Sequence, residues 1–325
     1  MRLLNVLAGL CLFGAMLLGA APAAAQTATL GTCSATLPAS DGSYVDATPP
    51  QVGMQVQISC SPAASSDAQT IDVCMKLTGG GSRQAVRSGT SDAIGYTVTY
   101  RDNGGAFDAI ADGSYVLTTI VALSATATSL DTSSTLRADH FATQPQVGVG
   151  TYADQLAGAI YLATDGHGCD GSTGRLTSDV AFTGALSVVY GPYCSIASTS
   201  TVAFGTLPGT GRVAGDVAGL GGVSVDCVRG TAYTIYLGDG AHRIAGGNRQ
   251  MANGDALLPY QLYKDDGTVW DETGMDTGIV GGAGGVSATG TGNAVLASVH
   301  GKIDDGTLLP ATGSYADTVR VTVAY

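Results

Sequence analysis

The sequence contains very few of the residues that favour α-helices. Glu272 is its only glutamate, and its only lysines are Lys76, Lys264 and Lys302. Glycine, by contrast, occurs 48 times, and valine, threonine and serine are frequent. Because glutamate and lysine are good helix formers while valine and threonine fit pleated strands, this composition predicts an all-β protein.

Positive charge is also scarce. The chain has 14 lysines and arginines against 26 aspartates and glutamates, which gives a net charge of −12 at pH 7. Loss of Arg2 with the N-terminal segment described below leaves 13 basic residues against the same 26 acids, a net charge of −13. Nucleic acids and anionic membranes bind basic faces, so neither is expected to be a partner.

Motifs for catalysis and for metal binding are missing as well. There is no Gly-x-Ser-x-Gly nucleophile motif and no phosphate loop ending in Gly-Lys-Ser or Gly-Lys-Thr. There is no Cys-x-x-Cys pair, and the four histidines are scattered, at His140, His167, His242 and His300. Many aspartates stand beside glycine, where a turn explains them without a paired-carboxylate hydrolase or a calcium site. We therefore expect no enzyme activity, no cofactor and no metal.

The N-terminus has the three-part form of a secretory signal peptide. A basic start at Met1-Arg2 precedes an apolar stretch from Leu3 to Leu18 and a run of small residues ending in Ala23-Ala24-Ala25. The apolar stretch is short for a membrane span of about 20 residues, and the small-residue exit is typical of a cleavage site. We predict that residues 1–25 are removed and that the mature protein is exported.

The cysteine count agrees with export. Removal of Cys11 leaves an even number of cysteines, which in an exported chain predicts three disulfides. These six are Cys33, Cys60, Cys74, Cys169, Cys194 and Cys227.

An internal repeat divides the mature chain into two copies of one unit. In each copy a strand candidate is followed by Arg-Gln, by a second strand candidate ending in a turn, and by Gly-x-Tyr-Ala-Asp. In the first copy these are Ile71–Leu77, Arg83-Gln84, Ile94–Gly104 and Gly150–Asp154. In the second copy they are Tyr233–Gly238, Arg249-Gln250, Leu258–Gly267 and Gly313–Asp317.

The repeat also constrains the disulfides. Cys33 corresponds to Cys194 and Cys60 to Cys227, so we predict the pairs Cys33–Cys60 and Cys194–Cys227. Cys74 and Cys169 have no counterparts in the second copy and are predicted to bond to each other.

Alternating apolar residues and Asp-Gly or Asn-Gly turns indicate short strands joined by hairpins in both copies. We expect two tandem immunoglobulin-like β-sandwich domains, residues 26–190 and 191–325.

The two copies end differently. The first continues past its Tyr-Ala-Asp strand into a further strand candidate, Asp179 to Tyr190, in which Val180, Phe182, Leu186 and Val188 share one face. The second copy shows no such strand after Tyr325. A sandwich that lacks its last strand has an unpaired edge and an open apolar groove, and it needs a strand from elsewhere.

The second copy has a set of landmarks throughout its length. They are Cys194, Phe204-Gly205, Val225-Asp226-Cys227, Tyr233-Thr234-Ile235, Arg249-Gln250-Met251, Tyr260–Tyr263, Trp270 and Gly313–Asp317 through Tyr325. Together they resemble the spore coat protein U domain family, the fold of archaic chaperone–usher pilus subunits. The first copy keeps only the frame of this pattern.

The resemblance implies a function in assembly. In this family, incomplete pilin domains are completed first by a strand of a periplasmic chaperone and then, at the outer-membrane usher, by the N-terminal extension of the adjacent subunit. Only Gln26 to Thr32 precede Cys33 here, too few for a long donor strand. The resemblance therefore implies a tip adhesin on the surface of a Gram-negative bacterium, binding an abiotic or host surface.

Two sets of candidate site residues follow. Those proposed to lie beside or beneath the donor-strand groove are Val319, Val321, Val323, Tyr325, Ile235 and Leu237. Related tip adhesins present apolar loops at the far end of the first domain. The candidates for surface adhesion here are Tyr44, Val45, Pro49, Pro50, Phe107, Ile110, Phe141 and Pro145. Ordinary packing is the alternative for each.

Two other function classes stay open at this point. A free-standing carbohydrate-binding sandwich would be stable without any donor strand. An envelope or coat structural protein would differ only in the destination of the assembled chains. A secreted hydrolase ranks last.

Overall fold

The computed structural model describes residues 28–325 except 46–47, 140, 142–145, 165–167, 171–173, 209, 244–246 and 276–278. The predicted signal peptide, residues 1–25, lies outside the described residues, as does Pro145. The described residues form strands, turns and bends without any helix, so the all-β prediction is confirmed. Among them no helix is long and apolar enough to cross a membrane.

Eleven strands form the first part of the molecule. They are β1 (Ala28–Thr36), β2 (Ser40–Ser43), β3 (Val52–Ser65), β4 (Gln69–Leu77), β5 (Ser82–Val86), β6 (Ala93–Arg101), β7 (Phe107–Ala109), β8 (Val116–Leu123), β9 (Leu130–Asp139), β10 (Gly150–Thr164) and β11 (Val180–Tyr190).

These strands belong to one hydrogen-bonded sheet that folds back on itself. Its main path runs β1-β3-β9-β6-β5-β10-β11-β2, and β10 also pairs with β4, which pairs with β8. A single core fills the space between the two halves of this sheet. The long strand β10 joins the halves, because it pairs with β5 and β11 at one end and with β4 at the other.

Strand β11 completes this first sandwich. It pairs antiparallel with β10 over eleven residues, from Val180 opposite Ile160 to Tyr190 opposite Gly150. Phe182, Leu186 and Val188 are buried, whereas the alternate residues face outward. Gly184 lies on the same inward face, where a Cβ atom would stand 2.4 Å from the Leu37 side chain. The strand predicted from Asp179 to Tyr190 therefore exists, with the predicted inward face.

Eight strands form the second part. They are β12 (Cys194–Ala203), β13 (Val217–Cys227), β14 (Ala232–Leu237), β15 (Arg249–Asn253), β16 (Ala256–Tyr263), β17 (Val286–Thr289), β18 (Ala294–Ile303) and β19 (Val321–Ala324). A five-stranded sheet has the order β12-β13-β18-β16-β15, and a three-stranded sheet has the order β17-β14-β19. One core contains inward residues of both sheets, such as Val225 and Val299 from one and Ile235 from the other.

Three disulfides join the cysteines in the pairs expected from the repeat. Cys33 bonds to Cys60 and Cys194 to Cys227 in corresponding positions, where the first strand of each part meets its neighbour. The third disulfide joins Cys74 in β4 to Cys169, in the connection between β10 and β11.

A polar contact connects the two parts. The Arg229 guanidinium lies 2.5 Å from an Asp92 carboxylate oxygen, and Arg87 lies 2.8 Å from the other oxygen of that carboxylate. The backbone amide of Val149 donates to the carbonyl of Arg229, and Val228 contributes its side chain to the first core. This contact marks the end of the first sandwich that faces the second.

We predict that removal of the disulfide Cys74–Cys169 destabilises the first sandwich more than removal of Cys33–Cys60. Their sequence separations are 95 and 27, and a disulfide that closes a longer loop restricts the unfolded chain more. The chain-entropy model gives costs of about 4–5 and about 3–4 kcal/mol, respectively. Calorimetric unfolding of C74A/C169A and C33A/C60A tests this. A larger loss in C33A/C60A would contradict it.

Candidate functional site

The second sandwich has an opening between its two sheets. Within the described residues, β12 pairs only with β13, and β19 pairs only with β14. Both strands are therefore edges, one in each sheet, and they flank the same side of the core. An unpaired edge carries backbone amide and carbonyl groups that are free to bind another strand.

Two adjoining cavities of about 450 and 770 Å³ form a groove along this opening. One wall is the end of β12 and the segment after it, with Val202 and Phe204 directed inward. The other wall is the segment from Tyr315 to Val321. The floor consists of core side chains from the strands between, Leu237, Met251, Tyr260, Leu262 and Val299. The floor is apolar, whereas the walls combine apolar side chains with polar ones such as Thr199, Thr201 and Thr318.

The groove contains part of the residue set predicted for it. Val319, Val321 and Leu237 line the groove. Val323 packs against the same core next to them, and Ile235 is buried beneath it. Tyr325 is 43% exposed, and its ring meets that of Tyr193 edge-on with 6.1 Å between centroids. The structure therefore brings five of the six together and leaves Tyr325 at the end of the row.

Strand β19 is much shorter than its counterpart in the first sandwich. The repeat aligns the start of β10 at Gly150 with Gly313, and each segment makes the same bridge: Ala153 opposite Val86 and Ala316 opposite Ala252. Yet β10 has 15 residues and β19 only four. In the first sandwich β11 pairs along the outer side of this segment, and in the second sandwich no described strand does. The missing neighbour explains why residues 313–320 lack a regular ladder.

A buried arginine holds the groove floor in place. Arg249 is fully buried, and its guanidinium donates to the carbonyls of Leu237, Gly238 and Trp270 at 2.8–2.9 Å and to Gln261 Oε1 at 2.5 Å. Burial lowers the pKa of this guanidinium below its usual value. Trp270 Nε1 donates to the carbonyl of Ile235 at 2.8 Å. These bonds fix β14, which carries Leu237 beneath the groove.

A buried carboxylate lies in the wall opposite β12. Asp317 accepts a hydrogen bond from the Tyr260 hydroxyl at 2.7 Å and from the backbone amides of Ala241 and Thr318 at 2.8 Å. Burial, and then the bond to this carboxylate, raise the pKa of Tyr260. The first sandwich repeats the pair with Tyr96 and Asp154, at 2.7 Å. The carboxylate therefore anchors the groove wall formed by residues 315–321.

The sequence prediction missed most of the β12 wall and the floor. The alternation Val202-Ala203-Phe204 was the available signal, because it places two apolar side chains on one face of a strand. That signal alone does not show which strand lies across the groove. The floor residues are scattered over four strands, and only the tertiary structure brings them together.

Three of the residues predicted for adhesion are buried, and this part of the prediction is wrong. Tyr44, Ile110 and Phe141 belong to the first core. The Tyr44 ring lies 4.5 Å from that of Tyr190, and Phe141 stacks on Tyr96 at 4.9 Å. The loops that carry Tyr44 and Phe141 fold over one end of the sandwich and complete its core, and Ile110 packs into the same core.

The loops with Tyr44 and Phe141 lie near the second sandwich, whereas the resemblance implied adhesive loops at the far end of the first. The Tyr44 amide donates to the carbonyl of Val189, at the end of β11 that leads into the second sandwich. Val45 is exposed and Pro49 and Pro50 are half-buried in this segment. Phe107 is at the opposite end, half-buried under the guanidinium of Arg137. Phe107 lies in the hairpin of β6 and β7, far from the second sandwich, and the nearby Ile110 is buried.

These features define a class: a protein of two successive β-sandwiches, of which the second has an open, strand-sized groove. Residues 180–322 match the model of the Spore Coat Protein U domain. This match confirms the resemblance inferred from the landmarks of the second copy.

Similar folds occur among solved structures. The chain aligns with one in the CsuC–CsuE chaperone–tip adhesion subunit pre-assembly complex of the archaic chaperone–usher Csu pili of Acinetobacter baumannii, at 19% identity and a TM-score of 0.52. The alignment covers 90% of this chain and 100% of that one. The CupB6 tip adhesin of Pseudomonas aeruginosa aligns at 12% identity over 90% of this chain and 95% of that one, with a TM-score of only 0.38. No curated protein sequence matches.

We predict that the native protein binds an environment-sensitive dye such as ANS in the groove, because ANS binds accessible apolar surface. Val321→Asp should remove most of the dye fluorescence, since it places a charge in the groove wall. Thr322→Asp is the matched control, because alternate residues of β19 face opposite sides. Equal dye binding by both variants would contradict the assignment of the groove.

Proposed function

We propose that this protein is the tip adhesin of a chaperone–usher pilus and that its C-terminal domain is completed by donor-strand complementation. The observation that carries the proposal is the open groove, with an apolar floor, between the edge strands β12 and β19. Its walls offer unpaired backbone groups, and its floor offers apolar side chains. An extended peptide with alternating apolar residues satisfies both.

The N-terminal segment supports a terminal position in the fibre. A subunit within a fibre must donate a strand as well as accept one. Here residues Ala28 to Thr36 form β1 and pair with β3 from Ala28 opposite Ser65 to Thr36 opposite Gln57. The segment around Cys33 is therefore part of the protein's own sheet and is not free to leave it. Because this segment is already paired, we propose that it does not act as a donor strand and that the protein stands at the end of a pilus.

The proposed partners follow from this position. A periplasmic chaperone fills the groove first, and the strand of the adjacent pilus subunit replaces it at the outer-membrane usher. The CsuC–CsuE structure pairs a chaperone with a tip adhesion subunit. That arrangement supports the same kind of partner here. The protein is then exported through the periplasm to the cell surface, and it has no catalytic role.

Within the proposal, residues 26–190 form the adhesive domain and residues 191–325 the pilin domain. The described turns at the end of the first sandwich far from the second, residues 66–68, 102–106 and 124–129, contain small and polar residues. None of the large exposed apolar side chains of the described residues lies in them. We therefore propose that contact with the bound surface at this end is polar, with Phe107 as the apolar residue to test.

The first test is thermal unfolding of the mature protein with and without a synthetic donor peptide from the N-terminal extension of a rod subunit. The peptide should raise the unfolding midpoint of the second sandwich by several degrees, because it buries the groove and fills both edges. The first sandwich, whose core is closed, serves as the internal control. An unfolding midpoint that does not respond to any such peptide would favour a free-standing binding protein.

Assembly provides the second test. Replacement of Val321 and Val323 by Asp should abolish incorporation into pili, because a buried unpaired carboxylate costs several kcal/mol. Thr322→Asp should assemble normally. The readout is pilus protein on the cell surface, with periplasmic protein as the measure of folding. Normal assembly of the double variant would overturn the proposed groove.

A further inference from the structure

The family domain and the second sandwich do not begin at the same residue. The family match starts at Val180, which is the first residue of β11. Strand β11 nevertheless lies in the first sheet, paired with β10 and β2. Three residues, 191–193, separate it from β12, whereas fifteen residues, 165–179, separate it from β10. By sequence the strand belongs with the second domain, and by packing it belongs with the first.

The place that β11 occupies in the first sandwich is the place that is empty in the second. In the first sandwich β11 runs antiparallel to β10 on one side and parallel to β2 on the other. The second-sandwich counterparts of these neighbours are the segment from Gly313 to β19 and the strand β12, the two walls of the open groove. Four inward side chains of β11, Phe182, Leu186, Val188 and Tyr190, are at most 3% exposed.

We propose that β11 is the donor extension of the second domain, inserted within the same chain into the first domain. The two sandwiches are then the same kind of strand-accepting unit. The first is filled by the extension of the next domain in the chain, and the second is left open for a separate molecule. For the second groove this inference rests on the proposed function; for the first it rests on the pairing of β11 alone.

The filled site gives the register of the strand that would fill the open one. Residues Gly150 to Ile160 pair with β11, and the repeat aligns them with Gly313 to Val323. The shared bridges at Ala153 and Ala316 support this alignment. The partner is therefore a strand of about eleven residues, antiparallel to Gly313–Val323, with apolar side chains at alternate positions.

A pair of cleavage variants of the mature protein tests the inference. In the first, a protease site is inserted between Asp170 and Gly174, so that cleavage leaves β11 attached to the second domain. In the second, the site is inserted between Gly191 and Pro192, so that β11 stays with the first domain. No disulfide connects the fragments in either case, because Cys169 is upstream of both cuts and Cys194 is downstream of both.

After the first cut the fragments should remain a one-to-one complex in gel filtration. The protein concentration at which half of this complex dissociates should be roughly 100-fold lower than for the fragments of the second cut. The reason is that four buried side chains of β11 then join the two fragments. After the second cut only the contact between Arg229 and Asp92 and its neighbours joins them. Equal dissociation of the two cleaved proteins, whether both apart or both together, would overturn the proposal.

Two adjacent valines give a matched control within the first cleavage variant. Val188 is fully buried and Val189 is 42% exposed on the other face of β11. Val188→Asp should raise the concentration for half-dissociation by roughly 100-fold, and Val189→Asp by less than about threefold. Similar effects of both changes would mean that inward strand packing does not hold the fragments. None of these measurements uses the second groove, so their failure is distinct from failure of the donor-peptide test.

Discussion

In the described part of the second sandwich the strands β12 and β19 each form backbone hydrogen bonds on one side only, and this constraint shapes the rest of the domain. β12 and β19 are edges of two different sheets, and no described strand lies between them. Without that neighbour the segment before β19 bonds on one side only, through bridges such as Ala252 to Ala316. The core beneath is open to the groove, which Val202 and Phe204 line on one side and Val319 and Val321 line on the other.

The floor of the groove is held in place by hydrogen bonds within the second sandwich itself. The Arg249 guanidinium donates hydrogen bonds to three backbone carbonyls and to the Gln261 side chain. The indole nitrogen of Trp270 donates to a fourth carbonyl, that of Ile235 in β14. Such a buried guanidinium is costly to desolvate, and the surrounding acceptors offset that cost. In the first sandwich the matching Arg83 instead binds Asp154 at 2.6 Å. The same repeat position therefore supports two different hydrogen-bond networks.

The two sandwiches share one repeated architecture and differ at the strand position that β11 occupies in the first. Both have a disulfide that joins their first strand to its neighbour. Both also have a tyrosine–aspartate hydrogen bond, Tyr96–Asp154 in the first sandwich and Tyr260–Asp317 in the second. They differ in whether a strand fills the position next to that pair. In the first sandwich the loops with Tyr44 and Phe141 close over the end of β11, which leaves this domain with a complete core. In the second sandwich no described strand gives the same closure.

The sequence alone determined the all-β class, the repeat, the cysteine pairs and the inward face of β11. These features can be read from the sequence, because strand alternation shows in adjacent residues and the repeat shows in motifs that recur at similar spacings. It also indicated Val319 and Val321 as groove residues, since the alternation fixes their face. Only the tertiary structure decided that Val202 and Phe204 form the opposite wall, and that Tyr44, Ile110 and Phe141 are core. Whether a side chain in a loop or at an edge is buried depends on which distant segment packs against it, and local periodicity carries no information about that segment.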